Sequence, residues 1–154
     1  ETRYKEGEAG SDLTPGEVLV QTGTNASGNP VYDSVSTVEK VDPQSQFATV
    51  PGTPPLRDPS GQDPVDQTIK TWTLVEVRVF TRGETVQNAL LAAGGDLAAA
   101  AEATVSPGTR LATNDDGSLK ESTTAGAAIA VAREAKDNSG AAAGDRDRLT
   151  VEVL

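Results

Sequence analysis

The 154-residue chain has no cysteine and no histidine. Without cysteine there are no disulfides and no thiolate chemistry. Without histidine the chain lacks the commonest metal ligand, the usual general base near neutral pH and the middle member of hydrolytic triads. Aromatic residues are scarce as well: one Trp, two Tyr and two Phe, too few for a sugar-stacking platform. With 15 Gly, 9 Pro and 36% hydrophobic residues, the core must be assembled from small side chains that each contribute little apolar area. No run approaches the ~18 apolar residues of a membrane-spanning helix, and the opening ETRYKEGEAGSD has none of a secretory leader's apolar run. Positive charge is short: 13 Lys and Arg stand against 23 Asp and Glu, for a net charge of −10. Binding a phosphate backbone requires clustered cations, so the expectation is no nucleic acid and no membrane among the partners. The acidity serves either solubility or adaptation to high salt. Carboxylates are numerous, but nothing in their spacing selects an acid–base pair. The chain reads as a non-enzyme with no cofactor and no metal.

What is there alternates. We read residues 1–12 as an extended arm and 13–154 as a single β-rich domain, a small β-barrel or β-sandwich with one short Ala-rich helix. LTPGEVLVQTGT (13–24) is a Pro-Gly turn feeding a strand with Val18 and Val20 on one face, and VYDSVSTVEKV (31–41) alternates more weakly. TIKTWTLVEVRVF (68–80) is the clearest strand, with Ile69, Val75, Val77 and Val79 on one side; its length implies an internal bulge or bend. Trp72 within it reads as a core or interface anchor rather than a ligand platform. In GETVQNALLAAGG, Val86, Leu90 and Ala93 have helical spacing behind an N-cap candidate, Thr85, and ahead of a glycine stop. Near the end, Leu111, Thr113 and Leu119 flank an Asn-Asp-Asp-Gly hairpin turn, and RLTVEVL places Leu149, Val151 and Val153 on one face. AAIAVARE between them contains strong helix formers, yet Ile129 and Val131 are β-branched and two apart, which suits one face of a strand. Residues 127–135 are therefore expected to be a strand.

Residues 42–64 carry six of the nine prolines, too many missing N–H donors for a regular ladder. Such an excursion is either a mobile surface loop or an extended strap lying on a neighbouring molecule. LTPGEVLV and VSPGTRLA echo each other, with Pro15-Gly16 and Pro107-Gly108 as type II turns; they are two ordinary turns or a related pair of β-units. NDDGS, with Asp116 and Gly117, fails the EF-hand spacing and reads as turn chemistry. DRDR (145–148) is most simply a solvated loop or else a contact with a neighbour. NAS (25–27) fits the glycosylation pattern, which occurs often by chance.

The run from SPGTRLATNDDG through GAAIAVAREAKDNSGAA to RLTVEVL resembles the C-terminal region of the head-decoration, or capsid-stabilising, proteins of tailed viruses, especially haloarchaeal ones. YKEGEAGSDLTPGEVL and NALLAAGGDL carry weaker echoes. The resemblance implies a mainly β-domain, often a homotrimer, on the outer capsid surface of a virion with an HK97-type shell, clamping adjacent major capsid protein subunits. A clamp of that kind needs shape and segments that order on a neighbour. Contacts are then expected in the arm around Arg3, Tyr4 and Lys5 and in the strap around Phe47, Leu56 and Arg57. The alternative is a cell-surface or secreted acidic β-domain acting as a binding module.

Overall fold

A computed structural model describes residues 3–41, 46–49 and 66–154. Among the described residues the strands are, in chain order, β1 Arg3–Ala9, β2 Leu19–Thr24, β3 Pro30–Ser34, β4 Gln46–Ala48, β5 Leu74–Val79, β6 Thr85–Leu91, β7 Thr104–Val105, β8 Arg110–Thr113, β9 Leu119–Glu121, β10 Ala130–Ala132, β11 Lys136–Asp137 and β12 Asp147–Val153. They form a five-stranded sheet ordered β2-β3-β1-β5-β4, a closed barrel ordered β10-β12-β6-β9-β8, and a small β7–β11 ladder. The mainly β reading and the barrel are both present.

The barrel is built from the alternation legible in the sequence. Leu149, Val151 and Val153 of β12 are buried, each worth about 1.5–3 kcal/mol relative to exposure. The Asn114–Gly117 turn joins β8 to β9 in antiparallel register, Thr113 opposite Leu119 and Leu111 opposite Glu121. The segment at 127–135 contributes a strand rather than a helix, but a short one, β10; Ile129 just before it is buried as expected, while within the strand Val131 is not. Ala130 and Ala132 point inward at 0% exposure while Val131 faces out, opposite Arg110 and Glu152. A five-stranded barrel has a narrow interior that side chains must fill without strain, so alanines line it at β10 and the bulkier valine is turned outward.

The expected helix at Thr85 is a strand instead. Leu149 opposes Ala89 and Val151 opposes Val86, so two residues of β6, Gln87 and Asn88, stand opposite the single Thr150 of β12. This is a β-bulge. Gln87 and Asn88 are extruded to solvent, and Val86 and Ala89 both reach the barrel core. The spacing of Val86, Leu90 and Ala93 fits a helical period, but pairing with β12 outweighs that local signal. The Ala-rich stretch behind it forms only two 3-10 turns, Gly94–Asp96 and Ala100–Ala103.

The five-stranded sheet corrects the reading of the N-terminus. Residues 3–9 are extended, but they are not an arm projecting from the domain: β1 pairs with β5 over six residues and with β3 at Glu8 and Ala9. The sheet has its own core of Ala9, Leu13, Leu19, Tyr32, Ala48, Ile69, Val75 and Val77. The long run 68–80 is divided, as its length implied, by a turn at residues 71–73 that precedes β5. Val18, Val35, Phe47 and Phe80 leave the sheet and join the barrel core, with the two phenylalanine rings edge to face at 5.4 Å.

Candidate functional site

The residues expected to meet a partner are distributed unevenly. Arg3, Tyr4 and Lys5 lie on β1; Tyr4 is 61% exposed and Lys5 reaches Gln46 Oε1 at 3.3 Å. Phe47 is not a surface contact, because at 1% exposure it belongs to the core that joins sheet and barrel. Leu56 and Arg57, with most of the proline-rich segment, fall outside the described residues. Pro15-Gly16, Pro107-Gly108 and Asp116-Gly117 all lie in turns or bends. Gly16 and Gly108 have φ of +99° and +91°, each closing a turn through an N–H to carbonyl bond, Glu17 to Thr14 and Thr109 to Ser106. Asp116 accepts hydrogen bonds from the Ser118 N–H and hydroxyl and from Asn114 Nδ2, which is the local turn chemistry expected of NDDGS. Among the described residues no group of three or more acidic side chains could hold a metal ion.

DRDR is no solvated loop. Arg146 crosses from the start of β12 to the Pro-Gly turn before β2, donating to Glu17 Oε2 at 2.7 Å, the Asp116 carbonyl at 3.0 Å and Thr14 Oγ1 at 3.2 Å. Arg148 donates to the Pro15 and Asn88 carbonyls and to Asp66. Together they rivet the sheet to the barrel. Burial pushes the Glu17 carboxyl above its ordinary value, opposed by the Arg146 guanidinium and the Thr14 N–H. No spacing rule could have found this pair, whose members are 129 residues apart.

A second rivet lies across the barrel. Lys120, 3% exposed, meets Glu102 at 3.1 Å and Glu39 at 3.5 Å. Burial of Glu39 favours its neutral form, but hydrogen bonds from the backbone and hydroxyls of Thr123 and Thr124 more than offset that and hold its carboxyl at about 2. These charged groups are mutually satisfied, as buried charges must be.

Among the described residues, concave features open to a ligand include these two. A groove of about 380 Å³ runs between β5 and β6, walled by Phe47, Phe80 and Val86, with Arg78 as its single titratable lining residue; it offers no acid–base pair. The other, about 230 Å³, lies on the outer face of the sheet and is lined by Glu6, Gly7, Glu8, Asn29, Trp72 and Leu74. Trp72 is 64% exposed, so it is not the core anchor its place in an apolar strand suggested. Its φ of +65° turns the chain just before β5, held by its N–H donating to the Ala9 carbonyl at 2.7 Å and by Asp12 accepting from the Thr71 N–H and hydroxyl. What these surfaces can do is bind; the described residues assemble no nucleophile with a base.

No protein-family model matches the chain, and no curated protein matches it. Among solved structures the fold is shared with the head fiber gp8.5 N base of bacteriophage phi29: TM-score 0.58 and 12% identity, over 100% of this chain and 95% of that one.

Proposed function

We propose that the protein is a structural component of a virion, carried on the outer surface of an HK97-type icosahedral head and clamping neighbouring major capsid protein subunits. The observation that carries this reading is the end-to-end correspondence of the fold with a phage head fiber base, a correspondence that spans both sheet and barrel. The internal construction suits a mechanical part: arginine rivets join sheet to barrel, and rigid elements tied in this way transmit load without local opening. Capsid contacts are assigned to the exposed side of β1 at Tyr4 and Lys5 and to the segment around Leu56 and Arg57. A homotrimer would set three such surfaces around a capsid symmetry axis, and the net charge of −10 suits a particle assembled in strong brine. Imaging purified particles with and without the gene tests the proposal: density on the head surface should vanish with the gene and return on adding the purified protein. Identical particles in both cases would overturn it. Native mass measurement reads the trimer.

A further inference from the structure

The cleft beside Trp72 has a composition that the fold does not require. Glu6 and Glu8 project from β1 into it, and neither makes a side-chain hydrogen bond or ion pair with any described residue. The carboxylates at the sheet–barrel junction and across the barrel are matched: Glu17 by Arg146, Asp66 by Arg148 and Glu39 by Lys120. Trp72 closes the cleft on one side with its ring exposed, and Leu74 supplies an apolar wall. A bulky residue at positive φ costs about 1–3 kcal/mol of backbone strain, which so exposed a ring does not recover by burial.

The edge of β1 adds a second feature. β3 pairs with β1 only at Glu8 and Ala9, so along residues 3–7 no described strand lies opposite β5. Ala9 donates toward the β5 side, to Thr73, whereas Gly10 donates to Tyr32 on the β3 side. By strict alternation, Tyr4 and Glu6 point their N–H and C=O groups at an edge that no described strand occupies.

We propose that this cleft and edge dock an extended peptide segment carrying arginine, from a partner protein, by adding a strand beside β1 and placing the guanidinium between Trp72 and the Glu6 and Glu8 carboxylates. An exposed strand edge supplies main-chain bonds and the neighbouring pocket supplies selectivity. A guanidinium satisfies both walls at once, stacking on the indole and forking onto carboxylate. The cavity is smaller than the ~300–1,000 Å³ that engulfs a drug-sized ligand, and its size suits one long side chain. Face-to-face pairing of two copies is disfavoured, because Glu6, Glu8 and Glu76 would meet their own equivalents.

Trp72 is the chain's sole tryptophan, so its emission reports the site directly. The intact protein is titrated with three acetylated, amidated pentapeptides, Ser-Val-Arg-Val-Ser and its Lys and Glu counterparts, and with the neutral sugar chitotriose. The arginine peptide should give a saturable change in emission, the lysine peptide a weaker one, and the glutamate peptide and the sugar none. Replacing Glu6→Gln and Glu8→Gln together should weaken arginine-peptide affinity by about tenfold or more, with an unchanged circular dichroism spectrum. The proposal is overturned if the arginine peptide does not saturate, if the glutamate peptide or sugar does, or if the doubly substituted protein binds as tightly as the parent. Failure here leaves the virion role standing, since particle imaging reads that independently.

Discussion

Truncating Arg146 to alanine should cost more stability than any other single surface-reaching side chain in the protein. The guanidinium is 17% exposed and its partner carboxylate, Glu17, 7% exposed. In Arg146→Ala the Glu17 carboxylate stays at the junction between sheet and barrel with only the Thr14 N–H, at 2.8 Å, to stabilise its charge. Leaving one member of a buried pair uncompensated costs about 3–5 kcal/mol, a large share of the roughly 5–15 kcal/mol that holds a domain of this kind together. The sign of the pH dependence follows from Glu17. Its folded-state value is already raised by burial, and Arg146 is the main force opposing that rise. Removing Arg146 raises it further, so the folded variant binds a proton that the unfolded chain has released. Stability of the variant must then fall as pH rises through that window, and the deficit against the parent should be largest near pH 8 and shrink toward pH 5. Urea unfolding followed by circular dichroism at both pH values measures it, with an unchanged slope confirming that stability alone has moved. Adding Glu17→Gln to Arg146→Ala should recover part of the loss at pH 8. A deficit below about 0.5 kcal/mol at pH 8, the level of an ordinary surface substitution, would refute the reasoning, as would a deficit equal at both pH values.

Three further outcomes are expected. Gly16→Ala should be much worse than Gly108→Ala: both carry the strain of positive φ, about 1–2 kcal/mol, but a Cβ at Gly16 would stand 2.1 Å from the Asn88 carbonyl oxygen while at Gly108 it meets open space. Thermal or urea midpoints that coincide would contradict this. Thr123→Val with Thr124→Val removes two hydroxyl donors to Glu39 and should destabilise by about 1–3 kcal/mol above pH 5; because Glu39 is held at about 2, its contribution is present above the ordinary 4.5 and lost as pH falls through 2, so the two proteins should converge in acid. A constant gap down to pH 2 would count against it. Deleting residues 1–12 should unfold the five-stranded sheet, since β1 pairs with both β3 and β5; a truncated chain with parental circular dichroism and cooperative unfolding would show that β1 is dispensable.

Period-two patterning by itself determined the faces of β5 and β12, the β8–β9 hairpin and the two Pro-Gly turns, because each depends on residues within a few positions of one another: alternation about an extended backbone, or a glycine able to take positive φ. Tertiary structure decided the rest. β6 looked helical because Val86, Leu90 and Ala93 happen to fall at helical spacing behind Thr85, whereas its faces are set by pairing with β12, including a bulge that exists only through that pairing. β1 looked like an arm because a half-exposed strand with glutamates on its outer side carries no apolar run, and its place between β3 and β5 depends on partners 23 and more residues away. Val131 faces outward because pairing with β8 and β12 turns Ala130 and Ala132 to the interior. The Arg146–Glu17 rivet, and the pairing of an exposed Trp72 with two unmatched carboxylates, are likewise products of the closed fold, since contacts between residues far apart in the chain leave no local period to read.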